Sequence, residues 1–274
     1  MNILELVRSF FWVAHGPLPN PLKRRVLQTQ TMLFARALAT PAQKAIERSV
    51  LGFRVAAYSK ETLRALYGEI FIESSYYFET SKSCPFIIDC GSNIGMSILF
   101  FKTLYPNSII TGFEPAADSF TLLRRNVEAN KLKDVEIHPF AVGEKTAKVS
   151  LFHGEEAGSL MTSTNIRRAA NDPRTVDQVR LSDFIDREVD FLKLDVEGAE
   201  SGVIADLLAS GRIRDIAKMA IEFHHHVEEK KDGFSAFLDY IEKAGFGYNL
   251  SARIPPKRFD GQFQDILVCA YRKD

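Results

Sequence analysis

The sequence predicts an α/β protein: a mostly parallel sheet with helices on both faces, preceded by a helical N-terminal extension. Three observations carry this. From residue 86 onward, short apolar runs alternate with helix-length amphipathic segments, a pattern that requires parallel strands joined by crossover helices. The first of those runs, Phe86-Ile87-Ile88-Asp89-Cys90, ends in a glycine turn that opens a helix. The first fifty residues instead repeat apolar side chains at helical spacing, with prolines between the repeats.

Taken in order, Ile3, Leu4, Val7, Phe10, Phe11 and Ala14 make one apolar stripe of a helix. Pro17, Pro19 and Pro21 interrupt the chain. A second helix is predicted over 22–38, and a third, short one from Ala42, Ala45, Ile46 and Val50. Residues 1–51 therefore read as a helical cap, and residues 52–274 as the main domain. Residues 53–57 alternate like a strand, Ser59 is placed to cap a helix reaching Tyr67, and 69–78 returns to strand-like composition. Strands follow at 86–90, 108–114, 135–142, 190–195 and 217–224, separated by helices at 94–104, up to Asn130, and at 199–210, with another at 234–244. Residues 148–153 are expected to pair with the 135–142 strand. A polar, mobile loop is expected over 154–174, and strands at 246–250 and 264–272 form an antiparallel pair closing the sheet.

A chain of 274 residues accommodates one large α/β domain, or a domain with a small appendage. With 46% apolar and 26% charged residues it is neither disordered, fibrous, nor a disulfide-stapled miniprotein. Lys+Arg and Asp+Glu are both 35, so no overall field favours nucleic acid. The charge is uneven, however: residues 1–60 carry +7 and the rest −7. That basic front end with Phe10–Trp12 suits a peripheral lipid contact, a substrate entrance or a homodimer contact, but a helical cap packed on the domain is the favoured reading. No membrane span is expected. Cys84, Cys90 and Cys269 are too few and scattered for a disulfide framework and contain no Cys-x-x-Cys pair. Together with a start that lacks leader features, they point to the reducing cytoplasm.

The chemistry is expected beyond the carboxyl ends of the strands, where strand order reverses. Asp89-Cys90-Gly91-Ser92-Asn93-Ile94-Gly95 lies directly after the first core strand. Gly91 and Gly95 let the backbone approach a ligand closely, and the helix that follows directs free N–H groups at an anionic group. Asp89 would repel a pyrophosphate, and the third glycine of a dinucleotide fingerprint is missing, which disfavours an NAD-dependent oxidoreductase. An acid beside the turn suits a ligand carrying both an amine and a carboxylate, as the methionine half of S-adenosylmethionine does. Glu114 ends the next strand and is placed to accept from a ribose diol, with Pro115 stiffening the turn. A third cluster, Asp195, Glu197 and Glu200 around Gly198, exceeds what a helix start needs. Asp195, and less strongly Glu197, are therefore read as site residues.

These residues carry a resemblance. Ile88 to Gly95, Phe113-Glu114-Pro115, Asn126 to Asn130, and Lys193-Leu194-Asp195-Val196-Glu197-Gly198-Ala199-Glu200 resemble the FkbM family of S-adenosylmethionine-dependent methyltransferases, over roughly residue 52 to the C-terminus. Ser92 stands where that family usually has alanine, and Cys90 where it has a small or aliphatic residue. The resemblance implies a seven-stranded Rossmann-like sheet and methylation of a hydroxyl on a natural product, sugar or lipid. It implies a cofactor held by Asp89, Gly91, Ser92, Asn93, Gly95, Glu114, Pro115 and Asp195. Phe140-Ala141-Val142 should then lie near the adenine, and the pair Tyr76–Tyr77, with Tyr77 as the contact, should approach the cofactor.

An alcohol acceptor must lose a proton, and candidate catalytic groups at neighbouring strand ends are Asp195, Glu222 and His224. Alternation along Ile221-Glu222-Phe223-His224 puts Glu222 and His224 on one side. The same three residues could hold a divalent metal, but a base or positioning role is favoured over a metal. His15, His138 and His153 read as structural. A scaffold that binds cofactor without catalysis is disfavoured by the intact acids Asp89, Glu114 and Asp195. An RNA acceptor is disfavoured by the acidic body.

Overall fold

The computed structural model describes residues 3–39, 45–153, 162–163, 173–226, 233–252 and 264–273. Helices α1 (Ile3–His15) and α2 (Asn20–Ala39) lead to a hairpin of β1 (Ile46–Val50) and β2 (Phe53–Ala57). Helix α3 (Lys60–Tyr67) follows, capped by Ser59, whose Oγ accepts from the Thr62 N–H at 3.0 Å. It runs on into a π-helical turn, Gly68–Ile72. Next come β3 (Phe86–Cys90), α4 (Met96–Leu104), β4 (Ile109–Phe113), α5 (Ala117–Ala129) and β5 (Val135–His138). A separate small sheet contains β6 (Ala141–Gly143), β7 (Ala147–His153), β8 (Thr162–Ser163) and β9 (Arg174–Arg180). The main sheet resumes with β10 (Phe191–Leu194), then α6 (Glu200–Ala209), β11 (Lys218–His225), α7 (Phe234–Lys243), β12 (Phe246–Ala252) and β13 (Gln264–Arg272).

The main sheet has seven strands in the order β12-β13-β11-β10-β3-β4-β5. β11, β10, β3, β4 and β5 are parallel, and β13 runs antiparallel to both β11 and β12. From β3 the chain steps outward to β5, then returns to β10 and steps the other way. The reversal therefore falls between β3 and β10, where such sheets open a crevice. Every residue of β3 and β10 is buried, as strands covered on both faces require. Ile87 and Phe191 pack on one face with Ile98, Phe100 and Phe101, and with Val13, Leu22 and Val26 from the N-terminal helices. Ile88 and Leu192 pack on the other with Val203, Ile204, Leu207 and Phe237.

The structure corrects several expectations. Residues 46–50 are a strand, not part of a third helix; Ala42 lies outside the described residues. Ile46 and Val50 are buried while Glu47 and Ser49 are exposed, a period-two pattern that a five-residue run shows weakly. Leu51 (φ +51°) and Gly52 (φ +96°) then form the left-handed two-residue turn that a tight hairpin needs. The boundary expected after residue 51 falls inside that turn. Residues 69–78 are not a strand. The 135–142 strand is split at Pro139, which has no N–H to give to a ladder. β6 then leaves the main sheet to pair with β9, an element the sequence did not disclose, and β7 pairs with β8 and β9 rather than with β5. The expected loop over 154–174 lies largely outside the described residues.

Among the described side chains of α1, Val13 is buried, while Val7, Phe10, Phe11 and Trp12 are exposed. Val7, Phe10, Phe11 and Ala14 of the expected apolar stripe are therefore not on the packed face, and the side chains of Ile3 and Leu4 lie outside the described ones. Among the described residues no helix is long and apolar enough to cross a membrane.

Asn126 and Asn130 on α5 fasten the hairpin to the main domain. Buried Asn126 accepts from the Ala56 N–H at 2.7 Å and donates to the carbonyls of Ala56 (3.0 Å) and Ile94 (2.8 Å). Asn130 makes the same two-way clasp on Arg54, at 2.8 Å each way. Asn126→Ala strands a buried N–H and two carbonyls, so urea unfolding is expected to show a loss of about 2–4 kcal/mol. An unchanged midpoint would remove the clasp from the account.

Candidate functional site

The turn after β3 is joined to its neighbours by backbone contacts. Gly91 has φ +85°, and a Cβ there would lie 1.9 Å from the Asp195 carbonyl oxygen, so no other residue fits. The N–H groups of Gly91 and Ser92 both donate to the Phe113 carbonyl at 2.9 Å. Asn93 donates its N–H to Glu114 Oε2 at 2.8 Å, and the Ala116 N–H donates to Glu114 Oε1 at 2.8 Å. Each Glu114 oxygen thus keeps a lone pair for a ligand. Burial raises the Glu114 carboxyl to about 7 against the pull of these two N–H groups.

Asp89 is fully buried behind this turn. Its Oδ2 accepts from Ser97 Oγ at 2.5 Å, and its Oδ1 lies 3.5 Å from Lys193 Nζ. It does not line the cavity, which corrects the expectation of direct contact with a ligand amine. The carboxylate is occupied in holding Lys193 and the start of α4. Gly95, with φ +89°, shapes the turn and is likewise off the wall.

Lys193 is the residue that the sequence reading passed over. It is 2% exposed, in the middle of β10. Its ammonium donates to the Gly91 carbonyl at 2.7 Å, lies 3.3 Å from Asp195 Oδ2, and sits over the Tyr76 ring. Burial disfavours the charge, but Asp195, Asp89, Glu69 and Glu222 overrule it and hold the lysine above its ordinary range. The available signal was a lysine inside Phe-Leu-Lys-Leu, a strand otherwise fit only for a core.

Glu69 and Tyr76 were also not singled out for this role. Glu69 comes from the π-helical turn, an irregularity often found at functional sites. The Tyr76 hydroxyl lies 2.9 Å from Glu69 Oε1 and 3.3 Å from Glu222 Oε2. Burial and the charges of Asp195 and Glu69 push Glu222 up to about 9, so it carries a proton at neutral pH. Burial and Asp195 raise Glu69 as well. Tyr76 is the aromatic of the pair that faces the cavity. The Tyr77 hydroxyl turns away to Glu79 at 3.0 Å, which corrects the expected contact.

After β10, Glu200 is buried and its Oε1 accepts from the Gly198 N–H (2.9 Å) and the Val196 N–H (3.3 Å). The same oxygen lies 2.8 Å from His224 Nδ1. Burial opposes a charged imidazole, yet Glu200, Glu197 and Asp195 raise His224 to about 10. Glu222 and His224 stand behind the wall rather than on it.

These elements enclose a cavity beyond the carboxyl ends of β3, β4 and β10, the place where such sheets hold a ligand. Gly91, Ser92 and Asn93 line it from the first turn, and Glu114 and Pro115 from the end of β4. Phe140 and Ala141 line it from the segment after β5, and Asp195 and Glu197 from the turn after β10. Glu69, Ile70 and Tyr76 close the N-terminal side. Among the described residues, the carboxylates Glu69, Glu114, Asp195 and Glu197 of the wall face one cation, Lys193, a lining that tolerates a cationic ligand and repels phosphate.

The sequence matches the family described as Methyltransferase FkbM domain over residues 89–248. It is 32% identical over 173 residues to Methyltransferase 1 of Beauveria bassiana, covering 54% of this chain and 69% of that protein. It is 40% identical over 74 residues to Methyltransferase sdnD of Sordaria araneosa, covering 27% of this chain and 29% of that one. Among solved structures, methyltransferase FkbM from Methylobacillus flagellatus KT aligns with a TM-score of 0.48 at 16% identity, covering 98% of this chain and 60% of that chain.

Gly91→Ala tests the turn. The added methyl cannot coexist with the Asp195 carbonyl, so the variant is expected to lower the thermal midpoint and to lose binding of S-adenosylhomocysteine by calorimetry. Wild-type affinity in this variant would contradict the packing described for the turn.

Proposed function

The chain belongs to the FkbM methyltransferase family, and on that premise we propose that it transfers the methyl group of S-adenosylmethionine to a hydroxyl of a small-molecule acceptor. The observation that carries the cofactor assignment is the pairing, in one cavity, of a diol acceptor and an anionic wall. Glu114 offers free lone pairs beside apolar Pro115, Phe140 and Ala141, which suits a ribose and its base. The surrounding carboxylates suit a sulfonium and an ammonium, and the same acids disfavour a dinucleotide.

When bound, the cofactor supplies a methyl group already activated by the sulfonium. What remains for the protein is alignment, worth roughly 7–11 kcal/mol in favourable cases, and removal of the acceptor proton. Asp195 is the group we assign to orient the hydroxyl and receive its proton, because it lines the cavity with 22% of its side chain exposed. Glu222 and His224 are both protonated at neutral pH, which leaves them as positioning residues. Ile70, Tyr76 and Leu66 supply the water-excluding wall and support an acceptor of small-molecule size. The unpaired thiols Cys84, Cys90 and Cys269 support a cytoplasmic setting.

Calorimetric titration with S-adenosylhomocysteine tests the cofactor reading, and transfer of labelled methyl to a panel of hydroxylated acceptors tests the reaction. Glu114 gives the titration a pH signature. Its carboxyl is ionised above about pH 7 and protonated below, so affinity is expected to hold above pH 7 and fall by up to tenfold per unit below it. Glu114→Gln is expected to bind weakly at every pH, with that slope gone. An unaltered slope in the variant would assign the titration elsewhere.

A further inference from the structure

Helix α1 turns an apolar side away from the domain. Among its described side chains, the packed side is the buried Val13 with the half-buried Leu6 and Ser9, and Ser9 Oγ accepts from Gln30 of α2 at 3.4 Å. The opposite side carries Val7, Phe10, Phe11 and Ala14 at the i, i+3, i+4, i+7 spacing of one stripe, with Trp12 on its flank. All five are exposed, Phe11 by 66% and Trp12 by 57%. Single exposed apolar residues are ordinary, but a stripe holding two phenylalanines beside a tryptophan marks a face that binds something.

Charge decides what it binds. Residues 6–46 hold Arg8, Lys23, Arg24, Arg25, Arg36 and Lys44, and no Asp or Glu. Arg8 is exposed and stands one turn before Phe11 and Trp12 on the same side of the helix. Lys23 donates to the Ala14 carbonyl at 2.8 Å, which brings the run Lys23-Arg24-Arg25 of α2 to the C-terminal end of the stripe. A second copy of the chain fits such a face badly. A two-fold interface sets a patch against itself, here base against base with no acid to pair. An anionic lipid surface fits it well, because headgroup phosphates take the bases while aromatic side chains settle at the boundary with the acyl chains.

We propose that α1 and the start of α2 dock this protein onto an anionic lipid surface, with Phe11 and Trp12 entering the headgroup region. The docking element is coupled to the cavity. Val13, Leu18, Leu22 and Val26 share one core cluster with Tyr67, Ile70 and Phe71, and the Tyr67 hydroxyl donates to the Val26 carbonyl at 2.8 Å. Ile70, with Glu69 of the same π-helical turn, belongs to the cavity wall. A lipid surface bound by α1 is thereby held in a fixed relation to the cavity. Docking of α1 does not require that the cavity hold S-adenosylmethionine.

Trp12 is the single tryptophan of the chain, so its emission reports the contact directly. The full chain is mixed with vesicles of phosphatidylcholine and with vesicles of equimolar phosphatidylcholine and phosphatidylglycerol, and binding is read by co-sedimentation and by tryptophan emission. The anionic vesicles are expected to carry the protein down and to shift Trp12 emission to shorter wavelength, with quenching by brominated lipid chains. Binding is expected to weaken as salt rises. Phe11→Ser is expected to lower the partition coefficient about tenfold. Arg8→Gln combined with Arg24→Gln is expected to lower it about 30-fold, at about fivefold per base. These side chains are exposed, so circular dichroism and S-adenosylhomocysteine titration of the variants are expected to match wild type. Failure of wild type to bind the anionic vesicles, or equal binding by Phe11→Ser, overturns the proposal. A dimer seen by sedimentation velocity without vesicles and dissociated by Phe11→Ser also overturns it, because the face then belongs to a second copy. Vesicle binding by a wild type that does not bind S-adenosylhomocysteine supports the docking face and overturns the cofactor reading alone.

Discussion

Lys193 carries a full positive charge into the centre of a parallel sheet, and the groups that compensate it are the ones that build the site. Its ammonium reaches Asp89 under the first turn, Asp195 at the end of its own strand, and the Gly91 carbonyl between them. An unpaired buried charge costs several kcal/mol, so these contacts fix where the two strand ends lie relative to one another. That fixed spacing is what forces glycine at position 91, where the Asp195 carbonyl leaves no room for a Cβ. Asp89 therefore acts on the cavity at one remove. It neutralises and anchors the lysine, and the lysine orients the wall.

Around this cation the site accumulates more negative charge than one ammonium can balance. Tyr76 bridges Glu69 and Glu222, and protonation of Glu222 relieves part of the excess. Glu200 and His224 relieve another part on the far side of Asp195. The surplus left on the cavity wall is what a sulfonium and an ammonium would meet.

The parts of this arrangement that were legible in the sequence are those in which a residue type at a strand end is dictated by its immediate neighbours. The glycine turn at 91–95, Glu114 before Pro115, and Asp195 before Gly198 announce themselves because local backbone and a carboxylate occur together. Lys193 and Glu69 were hidden because their roles arise only when β10, β3 and the π-helical turn are brought together in space, while Tyr76 was expected near the cofactor only as half of a pair that the family resemblance implied. Asp89 was legible as important but not in its role, since spacing cannot show that its carboxylate points behind the wall. The fold shows the same division. The alternation of core strands and helices along the main sheet was readable, whereas β1, β6 and β9 were not, because their pairing depends on the turn at Leu51–Gly52, on the break at Pro139, and on β6 and β9 finding each other.

The most direct test of the central role given to Lys193 is urea unfolding and S-adenosylhomocysteine titration of Lys193→Met, which keeps the length of the side chain and removes its charge. The account predicts a loss of about 3–5 kcal/mol, because Asp89 and Asp195 are left uncompensated, and at least a tenfold loss of affinity. Part of the stability should return when Asp89→Asn is added. A Lys193→Met protein as stable as wild type and equal to it in affinity would contradict the account, and would mean that the two strand ends are held in place by packing alone.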